Sequence, residues 1–172
     1  PASQRGRDFG VMLACFAQLG YSVEWRIVNA ADYGAAQKRH RTFIFAYRND
    51  TEYAKNMNTD SEKILSSKGF FTTTFPIQSI SEVLTSEINY SDISDVLEKF
   101  EFNFENSGYM KDGNIYTAKV TSKIEGSISL EKVLETNVPD SYYLGENLDK
   151  WKYLKGAKKI ERTSKDGFKY TY

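Results

Sequence analysis

Apolar positions along the chain change period several times, and each change marks an element. From Gly10 to Leu19 they recur at Val11, Met12, Cys15, Phe16 and Leu19, a helical stripe stopped by Gly20. Ser22 to Val28 then alternates, with Val23, Trp25 and Ile27 on one side, as a half-buried strand should. Arg41 to Tyr47 is apolar at nearly every position, which predicts a strand covered on both faces. Residues 29–40 are left as a long loop between two anchored strands.

Near Asn49-Asp50-Thr51 the composition turns acidic, polar and serine-rich, and a domain boundary is expected there, dividing residues 1–50 from 51–172. Thr72 to Ile77 reads as a short strand or extended linker. Ser79 to Leu84 and Ser91 to Phe100 have helical spacing, the second opening on a Ser91-Asp92 cap. Asn114 to Val120 has strand character, as does Glu101 to Phe104, with turns at Gly108 and Asp112-Gly113. Ser129 to Glu135 and Asn147 to Leu154 read as short helices, and the remainder is basic and punctuated by glycine.

Composition narrows the class. With 172 residues, 40% hydrophobic and 15% aromatic, the chain can bury a core. No apolar run of about 20 residues and no signal-peptide pattern is present. Cys15 stands alone, so no internal disulfide can form, which fits a reducing cytoplasm; its apolar neighbours predict burial in a helix rather than reactivity. Net charge is zero but unevenly spread: +4 over residues 1–48, −10 over 49–149 and +6 over 150–172. The acidic centre is expected to face away from any polyanion that the basic ends attract.

The chemistry concentrates in Asn29 to Arg48, NAADYGAAQKRHRTFIFAYR. Extended-chain alternation through Gln37-Lys38-Arg39-His40-Arg41 places Gln37, Arg39 and Arg41 on one face and turns His40, the single histidine, away as a solvent-facing spacer. Two planar guanidinium groups and an amide then stand ready for an anion or a base edge. A basic cluster between strands is also a common solvated turn.

The order strand, Asn-x-x-Asp-Tyr-Gly, x-x-Gln-x-Arg-x-Arg and aromatic strand resembles the eighth sequence motif of the DNA cytosine-5 methyltransferases. Arg7 to Tyr21 resembles the helix leading into that motif, and Val133-Leu134-Glu135 with Val138-Pro139 and Tyr142-Tyr143-Leu144 resembles a stretch of bacterial members. The family's Phe-x-Gly-x-Gly cofactor loop, Pro-Cys nucleophile and Glu-Asn-Val segment do not occur in the chain. With Pro1 in place of an initiating Met, it reads as an excised piece that stops inside the target-recognition domain.

The resemblance implies an α/β fold: the C-terminal part of a Rossmann-like methyltransferase sheet over residues 1–50, followed by an incomplete, mixed α+β target-recognition region. In such enzymes the target cytosine is flipped from the duplex, a thiolate attacks C6, and C5 takes a methyl group from S-adenosylmethionine. By position, Arg41 would meet the O2 of the flipped base and Arg39 its surroundings or the backbone. Gln37 would fix the loop, and Lys38 would be a backbone contact. Lys155, Lys158, Lys159, Arg162, Lys165 and Lys169, interleaved with aromatic residues, are further candidates for DNA contact. Double-stranded DNA is the expected partner and a cognate restriction endonuclease the genetic one. Neither a cofactor site nor a metal site is expected within these residues. Two other readings remain open from the residues alone: a stand-alone DNA-binding module using both basic ends, and a protein-interaction domain using the acidic centre.

Overall fold

The computed structural model describes residues 3–57, 59–123, 126, 128–155, 161–163 and 169–171. In chain order its helices and strands are α1 (Arg7–Gln18), β1 (Tyr21–Asn29), β2 (His40–Arg48), α2 (Glu52–Asn56), α3 (Ser61–Lys63), α4 (Phe70–Thr74), β3 (Ile77–Ile80), β4 (Leu84–Glu87), α5 (Ile93–Lys99), β5 (Ser107–Lys111), β6 (Asn114–Ala118), β7 (Val120–Ser122), α6 (Leu148–Lys155), β8 (Glu161–Thr163) and β9 (Lys169–Thr171). A π-helical turn, Ile64–Lys68, continues α3. The chain divides into two compact units, Pro1–Val133 and Leu134–Tyr172.

The first unit is built on a five-stranded antiparallel sheet in the order β2-β1-β5-β6-β4. Local sequence explains the β5–β6 hairpin. Asp112 (φ 49°) and Gly113 (φ 80°) both take left-handed backbone, as a tight two-residue turn between right-twisted strands requires. One sheet face packs Val23, Trp25, Met110 and Ile115 against Phe9, Leu13, Ala14 and Ala17 of α1 and Val96 of α5. The other packs Tyr47, Tyr109 and Ala118 against Ala54, Ile64 and Leu65. Helices therefore cover both faces of a mixed α/β fold. β3 and β7 form a separate two-stranded ladder.

Several expectations change with this arrangement. The buried face of α1 is Phe9, Gly10, Leu13, Ala14 and Ala17, not the Val11–Cys15–Leu19 stripe. Cys15 is exposed and Leu19 is 71% exposed. The helix is apolar nearly all round, so periodicity did not single out its core side. In β1 the polar side is buried as well: Ser22, Glu24 and Arg26 lie under the helical segment, while Ile27 is only partly covered. β2, expected to be covered on both faces, lies at the sheet edge, with Phe43 and Ile44 each 42% exposed.

Thr72 to Ile77 is not one extended piece, because α4 runs through Thr74 before β3 begins. Ser79 to Leu84 is not helical; β3 pairs with β7 there and Ser81 N donates to Lys119 O, a long-range ladder that overrides the local spacing. Gly108 sits inside β5 opposite Trp25, where a Cβ would come within 1.8 Å of the indole, so the glycine serves close approach rather than a turn. Glu101 to Phe104 forms no strand. The helix expected at 91–100 is α5, capped by Asp92, whose carboxylate accepts from Ser94 N and Asp95 N.

The helix–strand–loop–strand order expected of residues 1–50 is present as α1, β1 and β2. The same sheet also takes in β4, β5 and β6 from beyond residue 50. In the second unit, α6 matches the helix expected near 147–154, and β8 pairs with β9.

Candidate nucleic-acid interface

The loop between β1 and β2 is organised by Asn29, the last residue of β1. Its Oδ1 accepts from Ala31 N at 3.4 Å and from Arg39 N at 3.1 Å, and its Nδ2 donates to Asp32 at 2.9 Å. Ala30 N donates to Arg39 O at 2.9 Å, closing the loop at its neck. Ala30–Tyr33 makes one 3-10 turn that ends at Gly34, whose φ of +86° calls for glycine. The fixed residues of Asn-x-x-Asp-Tyr-Gly thus shape the loop locally. Asn29 ties its two ends, Asp32 orients the Asn29 amide, and Gly34 reverses the chain.

Gln37, Lys38, Arg39, His40 and Arg41 are all exposed. Regular strand geometry begins only at His40, opposite Asn29, with Arg41 opposite Val28. The alternation expected from Gln37 onwards therefore does not apply to Gln37, Lys38 and Arg39, which precede the strand. Arg41 shares the face of Phe43 and Phe45 and donates from Nη1 to the His40 carbonyl at 2.8 Å. Among the described residues no acidic side chain forms an ion pair with Lys38, Arg39 or Arg41. The loop can offer these cations to an anionic or carbonyl-bearing ligand without first breaking an ion pair.

Beneath the loop lies a polar layer that alternation alone placed in solvent. Arg26, 2% exposed, donates from Nη1 to Phe75 O and from Nη2 to Leu65 O, both at 2.8 Å, and from Nη2 to Ser107 Oγ at 3.3 Å. Burial lowers its pKa, partly countered by Tyr33 and Glu24. Tyr33 donates to Pro76 O at 3.4 Å, and burial raises its pKa. Its ring meets Phe75 edge-on at 5.3 Å, and Phe75 in turn meets Phe43 at 5.4 Å. Arg26, Tyr33 and Phe75 were not anticipated as parts of the site. The signal in the sequence was the pair of charges, Glu24 and Arg26, inside an otherwise apolar strand.

Of the lysine-rich candidates, Lys155 is exposed at the end of α6. Arg162 stands opposite Tyr170, and Lys169 opposite Thr163, in the β8–β9 ladder. Lys158, Lys159 and Lys165 lie outside the described residues.

Comparison with known proteins adds to this geometry. The family model for C-5 cytosine-specific DNA methylase matches residues 2–171. The chain belongs to that family. It is 47% identical to the type II methyltransferase M.Sau3AI of Staphylococcus aureus over 177 residues, covering 100% of this chain and 43% of the relative. Type II methyltransferase M.MthTI of Methanothermobacter thermautotrophicus is 40% identical over 55 residues, 30% of this chain and 17% of that protein. M.NgoBI of Neisseria gonorrhoeae, another type II methyltransferase, is 35% identical over 48 residues, 28% of this chain and 15% of the relative. This cytosine-5 methylase chain therefore spans less than half the length of the curated relatives it matches. No solved structure matches it significantly. Among the described residues, no helix is long and apolar enough to cross a membrane.

Proposed function

We propose that the chain supplies the target-base and DNA contacts of a DNA cytosine-5 methyltransferase that works in bacterial restriction–modification. The observation that carries this reading is the Asn29-tied loop, which holds Arg39 and Arg41 exposed at the end of a sheet, with no carboxylate partner among the described residues. Attack of a thiolate on C6 of cytosine drives negative charge into the ring and its O2. A permanent cation fixed beside that oxygen lowers the barrier, and Arg41 is the group assigned to it. Arg39 holds the neighbouring phosphate or polar groups, with Lys38 on the backbone and Gln37 bracing the loop.

The family draws its methyl group from S-adenosylmethionine. Among the described residues β1 leads into the Ala30–Tyr33 turn and β2 into the Thr51-capped α2, and neither junction is a glycine-rich turn opening a helix, which supports the reading that the cofactor is held elsewhere in the enzyme. On this reading the chain by itself transfers no methyl group. Residues 1–50 are assigned to the Rossmann-like catalytic part and 51–172 to target recognition. The apolar outer edge of β2, unpaired among the described strands, supports a larger sheet, since an exposed apolar edge strand is normally paired or covered. A cognate endonuclease and a cytoplasmic setting follow from the same reading.

Arg41→Ala in the complete enzyme tests the assignment. Methyl transfer should fall by about a hundredfold, while duplex affinity changes only a few-fold. A wild-type methylation rate in that variant removes Arg41 from the target base.

A further inference from the structure

We propose that Arg26 and Tyr33 are positioning residues for the arginine loop, acting through the 65–76 segment rather than by touching DNA. This rests on the reading of Arg41 as the group that meets the target base.

The helical backbone is interrupted between the Ile64–Lys68 turn and α4. A π-helical turn would be continued by a bond from Phe70 N to Leu65 O. Instead Phe70 N donates to Glu24 Oε2 at 2.8 Å, and Leu65 O accepts from Arg26 Nη2 at 2.8 Å. Two side chains of β1, two residues apart on one face, thus satisfy the two halves of the interrupted link. Arg26 also donates to Phe75 O, the carbonyl of the residue that ends α4. One guanidinium therefore holds a carbonyl of the π-helical turn and the carbonyl at the end of α4, and a cation suits carbonyls left open near helix ends.

That segment reaches the arginine loop on both sides. Tyr33, in the turn that opens the loop, touches the Phe75 ring and donates to Pro76 O. Phe43, two residues beyond Arg41 on the same strand face, also touches the Phe75 ring. Arg26, only three residues before the Asn29 neck, fixes Phe75, and Phe75 with Pro76 braces the loop at its start and at its return strand. Displacing this brace lets Arg41 move relative to the base without removing a DNA contact. Small misplacements of this kind reduce the chemical step more than binding.

The experiment uses the complete enzyme with Tyr33→Phe, Arg26→Lys and Arg41→Ala, singly and combined, measuring kcat, KM for duplex DNA and thermal unfolding. Tyr33→Phe should lower kcat about fivefold and Arg26→Lys about tenfold, with KM within about twofold. Lysine can serve one of the two carbonyls, so Arg26→Lys should retain more rate than Arg26→Met. On the Arg41→Ala background neither change should cost further rate, because both act through Arg41. Losses that multiply on that background overturn the inference, as do wild-type rates for both single variants while Arg41→Ala is impaired. If Arg41→Ala itself is unimpaired, the base-contact reading fails and takes this inference with it. Should Arg26→Lys fail to fold, the Tyr33→Phe series decides alone, since it removes one hydroxyl.

Discussion

Glu24 is 4% exposed, and its carboxylate is held by Phe70 N and Tyr53 OH, with no ion-pair partner among the described residues. Burial pushes its pKa up to about 7, outweighing the opposing pull of Phe70 N, Arg26 and Tyr53. The sign follows from which state ionises first. Below a pH of about 4.3 both folded and unfolded carboxyls are protonated and the penalty is absent. As pH rises the unfolded chain ionises first, so stability is lost progressively and the loss is complete above about pH 7. The full span is on the order of 3 kcal/mol. Glu24→Gln should therefore be more stable than wild type in urea at pH 8, with the gap closing towards pH 5. Parallel pH dependences of the two proteins would show that Glu24 does not titrate in this window. Arg26 shows the same logic without titration: its buried charge persists because the Leu65 and Phe75 carbonyls and Ser107 Oγ accept from its two terminal nitrogens.

At the scale of elements, α1 separates what periodicity can and cannot say. Its existence was legible from apolar spacing, and its end from Gly20. Its buried side was not, because Phe9, Leu13 and Ala17 form one apolar stripe and Met12, Phe16 and Leu19 another. Only the sheet decides between them, by packing Val23 and Trp25 against the first. Leu13, fully buried, should cost about 2–5 kcal/mol when replaced by alanine. Leu19→Ala should stay within about 0.5 kcal/mol of wild type. Equal losses in urea midpoint would show that Leu19 is buried as deeply as Leu13 and overturn this choice of face. The neck and turn of the loop that carries Arg39 and Arg41 were legible for a different reason: Asn29, Asp32 and Gly34 act on neighbours within ten residues, so local sequence sets that part of it. The brace from 65–76 was not, since Leu65 and Phe75 lie 39 and 49 residues from Arg26.

For the molecule as a whole, strand pairing was the least legible feature. β5 joins β1 across some eighty positions through Trp25 and Gly108, a glycine whose value lies in the indole it admits and not in any turn. Charge, by contrast, is additive along the chain and was legible directly. The two basic ends differ in what they are expected to do. Under the proposed function the Arg39–Arg41 loop would serve the chemical step, whereas the lysine-rich end, where Lys155 is exposed, would serve attachment to phosphates. A phosphate contact releases about 0.9 counterion from duplex DNA, so each one adds about 0.9 to the steepness with which affinity falls with salt. Lys155→Ala in the complete enzyme should therefore weaken binding equally across DNA sequences. It should also reduce the log–log salt slope by roughly 0.9 while leaving the rate at saturating DNA unchanged. Arg41→Ala should do the reverse, lowering that rate while moving the slope by less than the Lys155 change does. An unaltered slope in Lys155→Ala, read from anisotropy titrations over a range of salt, would remove the α6 end from the DNA interface.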